Sequence, residues 1–193
     1  NYYGEGVTQP EVEAFYANMK DPNDSTPISY GLNSKLVKEN GKLVEKTYKV
    51  GGLYTQAIER IVGWLEKAVT VAQIDKQKEV IKSLISFYKT GDLNTYDEYS
   101  IKWVEDLDSQ VDFVNGFTET YGDPLGMKAS WESIVNFKNV EATKRTQTIS
   151  DNAQWFEDNS PIDPKFKKEK VKGVSAKVIT AAILAGDCYP GKC

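Results

Sequence analysis

The segment VDFVNGFTETYGDPLGMKASWE, residues 111 to 132, constrains this chain more than any other, because two β-like runs meet at a turn of residues that restrict the backbone. Asp123-Pro124-Leu125-Gly126 supplies that turn. Polar groups (Asp112, Asn115, Glu119) interleave with apolar ones (Val111, Phe113, Val114, Phe117), a pattern that suits the wall of a cleft. A second constraint limits what such a cleft can do. None of the 193 residues is histidine, so a Ser-His-Asp triad, a Cys-His dyad and every His-bearing zinc site are excluded from this chain alone.

The length suffices for one substantial core or two small ones, and 40% hydrophobic with 27% charged residues describes an ordinary globular chain. With 24 Lys and Arg against 28 Asp and Glu, the net charge of −4 favours neither nucleic acid nor anionic lipid as a partner. No apolar run approaches the roughly 20 residues of a membrane helix. The opening NYYGEGVTQP lacks a positive start and an apolar signal core and reads as an interior cut, which leaves a cytoplasmic and a periplasmic home equally open. The two cysteines, Cys188 and Cys193, read as free thiols or as a short terminal disulfide, and alone they are too few to hold a metal.

Thr8-Gln9-Pro10-Glu11 combines a capping box with an early proline and predicts a helix over about 9–20, with Val12, Phe15, Tyr16 and Met19 on one face. Asn40-Gly41 predicts a type I′ hairpin between strands over 28–37 and 42–50. Helices follow over about 55–72 and 76–90, the second stopped by Gly91, and a shorter one opens at the capping box Thr95-Tyr96-Asp97-Glu98. Beyond the strand-turn-strand of 111–138, Asn139 caps an expected long helix over about 140–157, in which Trp155 and Phe156 anchor the end in the core or rim a pocket. Val174 to Leu184 reads as a buried strand. These elements make a single α+β unit, with a loose division near residue 109.

Seven positions apart on one strand, Asp112 and Glu119 face opposite sides and lie more than about 20 Å apart, so they cannot act as an acid-base pair within it. Each reads as a solvated or salt-bridged carboxylate, or as a single contact to substrate. Gly116 marks a close approach, either of a ligand or of another element packing onto the strand. The run KFKKEKVK, residues 165 to 172, reads as a solvated face rather than a phosphate-binding one, since Glu169 interrupts it and Phe166 is its only aromatic.

Six segments carry a resemblance across nearly the whole chain: SYGLNSKLVKENGKLVEK, VGGLYTQAIERIVGWLEKA, FYKTGDLNTYDEYSIKWVEDLDS, VDFVNGFTETYGDPLGMKASWESIVNFK, NAQWFEDNSPIDPKFKKEKVKGVSAKVI and GDCYP. Together they resemble the dipeptidyl peptidase III family, the M49 zinc metallopeptidases, and its Bacteroides-type bacterial members more than its animal ones. The resemblance implies part of the non-zinc lobe of a two-lobed exopeptidase that removes dipeptides from the free amino end of oligopeptides. The family's zinc site, an HExxGH helix plus a later glutamate, lies downstream of the matched region, so zinc belongs to the parent enzyme and no cofactor to this chain.

By that resemblance Asp112 occupies the acidic position that binds the substrate's ammonium terminus, and Asn115 is a candidate contact to peptide backbone. Animal members have tyrosine where this chain has Val114, so a phenolic contact there does not carry over. After GDCYP the family continues into a strand that pairs with bound peptide, whereas this chain ends in Gly191-Lys192-Cys193. The implied role is a noncatalytic fragment contributing to the peptide cleft, its partners being the oligopeptide and the rest of the peptidase. The alternative is a noncatalytic interaction domain on the same scaffold.

Overall fold

The computed structural model describes residues 2–173 and 177–186. The fold is α+β, with six α-helices and two small sheets among the described residues. The chain divides into two compact units.

The first unit comprises the described residues of Asn1–Asp106, Asn115–Ser133 and Ala185–Cys193. Helix α1 (Gln9–Ala17) opens as its capping box requires: the Glu11 carboxylate accepts the Thr8 N–H at 2.9 Å and the Thr8 hydroxyl at 2.8 Å. It stops at Ala17, short of the expected Lys20, and leaves Met19 41% exposed. The polar run 21–27 that follows offers no apolar face to extend the helix.

Strands β1 (Ser34–Glu39) and β2 (Lys42–Thr47) pair antiparallel, Glu39 opposite Lys42. The turn has Asn40 at φ 50° and Gly41 at φ 78°, the two positive values that a type I′ hairpin demands. β1 begins later than the sequence pattern suggests, since residues 30–33 form turns. Val12 and Tyr16 of α1 and Leu36 of β1 centre one core cluster, with Leu43, Leu125 and Met127 packed around it.

Helices α2 (Thr55–Val71), α3 (Asp75–Thr90) and α4 (Leu93–Glu105) form the other layer, α3 packing against both neighbours. α3 buries Val80, Ile81, Leu84, Phe87 and Tyr88, whereas α2 buries only the stripe Ile58, Val62 and Leu65. Gly91 ends α3 at φ 72°, donating its N–H to the Phe87 carbonyl. α4 starts two residues before the capping box Thr95 to Glu98, because the Asp92 carboxylate accepts the Asn94 N–H at 3.0 Å and so caps the helix first.

The second sheet has the order β3 (Val111–Glu119), β4 (Ser130–Lys138), β5 (Ile179–Ala185). The Lys138 N–H donates to the Gln110 carbonyl at 2.8 Å, and the Thr118 hydroxyl to Glu132 at 2.8 Å, so β3 and β4 run antiparallel.

The second unit comprises the described residues of Leu107–Val114 and Ile134–Leu184. Asn139 caps α5 (Val140–Asp151) by accepting the Ala142 N–H at 3.0 Å. The expected single helix is two: the backbone leaves the helical region at Asn152 (φ −105°, ψ 19°), and α6 (Ala153–Asn159) follows. The Asn152 side chain competes with the helix ladder by donating to the Thr148 carbonyl at 2.8 Å.

Neither α5 nor α6 has a buried residue. Trp155 (59% exposed) and Phe156 (48% exposed) pack edge-to-face on each other instead of anchoring a core. β5 forms where the apolar run predicts a strand, but it is exposed along nearly its whole length rather than buried. As the edge strand it presents Ile179, Ile183 and Leu184 outward. Cys188 and Cys193, and the segment GDCYP except its first residue, lie outside the described residues.

Candidate peptide-binding strand

Strand β3 carries both residues that the family resemblance singles out, each held by its own partners. Asp112, 9% exposed, belongs to the second unit. One carboxylate oxygen accepts the Phe113 N–H at 2.8 Å, and the other lies 2.7 Å from the Lys177 ammonium, just before β5. Both side chains of this ion pair are nearly buried, at 11% and 13% exposure, so solvent screens it weakly.

Asn115 belongs to the first unit. Its amide donates to the Ser133 hydroxyl at 3.1 Å, while its carbonyl accepts from the Tyr88 hydroxyl, which itself accepts the Trp131 indole N–H at 2.8 Å. Burial pushes the Tyr88 hydroxyl well above the ordinary phenol range, with the Trp131 bond opposing, so it stays a protonated donor to Asn115. Asp112 and Asn115 share no partner in these hydrogen bonds, and on an alternating strand they project to opposite faces.

The glycine between Asn115 and Phe117 is closed to ligands. A Cβ on Gly116 would lie 3.2 Å from the Tyr96 ring, so the close approach belongs to a helix side chain of α4. Tyr96 in turn packs against Phe87 at 4.6 Å between centroids. The basic run is a solvated face, as its composition suggests: Lys165 pairs with Asp163 at 3.3 Å with 67% of its side chain exposed.

The turn after β3 is organised by Asp123, 4% exposed. Its carboxylate accepts backbone N–H groups from Leu125 (3.1 Å), Met127 (3.0 Å) and Lys128 (2.9 Å), and the Tyr3 hydroxyl at 2.8 Å. Burial alone would raise its pKa, but these four donors outweigh it and hold the carboxyl below the usual range.

Two residues near Asp112 in the chain's second unit escape sequence reading. Lys177 lies 65 positions away, and nothing local signals an ion pair of that separation. Asn136 on β4 is 5% exposed, and its side-chain carbonyl has no hydrogen-bond partner among the described residues. The chain has no histidine, and among the described residues no group of three or more Cys, Asp and Glu gathers. No helix among the described residues is long and apolar enough to cross a membrane.

Residues 25–181 match the family described as Peptidase family M49. Among curated relatives, the dipeptidyl peptidase 3 of Dictyostelium discoideum is 29% identical over 88% of this chain and 27% of its own length. A protein of Arabidopsis thaliana named Nudix hydrolase 3 is likewise 29% identical, over 94% of this chain and 24% of its own. In fold, the chain is similar to the structure of dipeptidyl peptidase III from Caldithrix abyssi, with a TM-score of 0.77 and 22% identity over 97% of this chain and 34% of that one. The chain thus spans about a quarter to a third of the proteins it matches. Since the family match covers most of its length, the chain belongs to peptidase family M49.

Proposed function

We propose that this chain is a noncatalytic portion of a zinc-dependent exopeptidase that releases dipeptides from oligopeptides, and that its role is to hold the substrate's free amino terminus at Asp112. The observation that carries the reading is the Asp112–Lys177 pair, because a lysine ammonium 2.7 Å from a nearly buried carboxylate is chemically the same group as a peptide's amino terminus. The carboxylate is already oriented by the Phe113 N–H, so a substrate that displaces Lys177 meets a prearranged acceptor.

Asn136, with an unpaired carbonyl on the neighbouring strand β4, supplies an acceptor for a backbone N–H of the same peptide. Asn115 is the weaker contact, since both ends of its amide are already engaged. Family M49 is zinc-dependent, and in this reading the metal and the hydrolytic step belong to the remainder of the parent protein. The exposed apolar strand β5 offers that remainder a surface to cover.

Calorimetric titration with tetrapeptides bearing free or acetylated amino ends tests the reading. Binding of the free form alone, lost in Asp112→Asn, supports it. Equal binding of both forms, or none, moves the chain to the interaction-domain alternative. Zinc-dependent release of dipeptides by this chain alone would refute the noncatalytic assignment.

A further inference from the structure

The first unit holds a second site, remote in chemistry from Asp112. A cavity of about 550 Å³ opens between the start of α2 and the ends of β3 and β4, lined chiefly by Tyr48, Tyr54, Phe117, Trp131, Ser130 and Arg60. That volume is typical of small-ligand pockets, which are mainly apolar with a few placed polar groups.

The rings are arranged rather than merely exposed. Tyr48 stacks on Phe117 at 5.0 Å and 25° and meets Tyr54 at 5.4 Å. Tyr54 stands at the N-cap of α2 with φ 57°, in the left-handed region that a bulky residue rarely adopts, and offers the helix no side-chain cap. Asn or Gly would suit that backbone better, so what tyrosine adds there is its ring beside Tyr48. Tyr54 is 70% exposed, so burial does not repay the strained backbone.

Two polar groups at the cavity lack partners. Tyr48 is 7% exposed and lines the cavity, and its hydroxyl makes no hydrogen bond to another described residue. Burial, with Tyr54 and Tyr2 nearby, pushes this phenol up to about 12, so it is a protonated donor at neutral pH. Arg60, one turn into α2, has no carboxylate partner among the described residues. A flat apolar floor, an idle phenol donor and an unpaired guanidinium recognise one kind of molecule.

We infer that this cavity binds a planar aromatic carboxylate of one or two fused rings, its ring against Tyr48 and Trp131 and its carboxylate on Arg60. The inference does not rest on peptide binding at Asp112.

Titration of the chain with 2-naphthoate, followed by calorimetry and by tryptophan fluorescence, with the neutral 2-naphthamide alongside, tests the assignment. Saturable binding of the naphthoate is expected. Arg60→Gln, at an exposed position that the fold does not need, should weaken the naphthoate about tenfold and leave the amide unchanged. Tyr48→Phe should weaken the naphthoate without changing the circular dichroism spectrum. The assignment is overturned if no saturable binding is found, if the amide binds as tightly as the acid, or if Arg60→Gln binds the naphthoate as the parent chain does.

Discussion

The Lys128 ammonium lies 2.7 Å from the Tyr16 hydroxyl, although 112 positions separate the two residues. Lys128 is fully buried and also donates to the Ser34 hydroxyl at 3.0 Å and the Gly31 carbonyl at 3.2 Å. The Glu45 carboxylate, 4.0 Å away, accepts from both Tyr16 and Ser34. One lysine therefore ties the turn after β3 to α1 and to the β1–β2 hairpin.

Lys128→Met should destabilise the first unit by about 1–3 kcal/mol at neutral pH, because two hydroxyls and a carbonyl lose their shared donor. Urea unfolding measures this. A variant as stable as the parent would show the network to be no better than apolar packing.

The same lysine sets a pH dependence. Burial lowers its pKa from 10.5 to about 8, against the opposing pull of Glu45 and Asp123. Between those values the unfolded chain binds the additional proton, so stability rises with pH across the window. Relative to Lys128→Met, the parent chain should gain stability between pH 8 and about 9.5, below the ordinary tyrosine pKa of about 10. A flat difference between the two chains would contradict the assignment.

Asp123 behaves in the opposite sense. Its folded pKa lies below the unfolded value, so its contribution is complete above the usual aspartate range and disappears as pH falls through the folded pKa. Asp123→Asn should cost about 2–4 kcal/mol at pH 7, since three backbone donors lose a charged acceptor. The gap between variant and parent should narrow in acid, which unfolding curves from neutral to strongly acidic pH will show.

Gly116→Val should destabilise the first unit by about 1–3 kcal/mol through collision with the Tyr96 ring. Adding Tyr96→Ala should recover part of the loss. If the double variant is as unstable as the sum of the two single ones, the collision lies elsewhere.

Lys177→Met frees Asp112 from its internal ammonium, so free-amino tetrapeptides should bind several-fold more tightly and acetylated ones should be unaffected. Calorimetry reads the difference. Weaker binding of the free-amino form would mean that Lys177 orients the carboxylate rather than competing for it.

Much of the local structure was legible in the residues. The Asn40-Gly41 turn, the Gly91 stop and the Asn139 cap rest on interactions reaching no more than a few positions along the chain, and the strand-turn-strand of 111–138 shows in the residue pattern of each arm and of the turn between them. Asn152 was the local exception, because a side chain that bonds back to the preceding turn looks, in sequence, like any other polar helix residue.

What the sequence by itself determined was therefore the α+β order of elements, the impossibility of histidine chemistry and the family, all carried by short-range patterns or by residue identity. Only the tertiary structure decided that Lys128 is buried, that Asp112 is held by Lys177, that Gly116 lies under Tyr96 and that β5 is exposed. Each of these depends on residues brought together across 20 to more than 100 positions, or on which face of a strand is left uncovered. Hydrophobicity predicts that a segment seeks cover; it does not say which segment provides it.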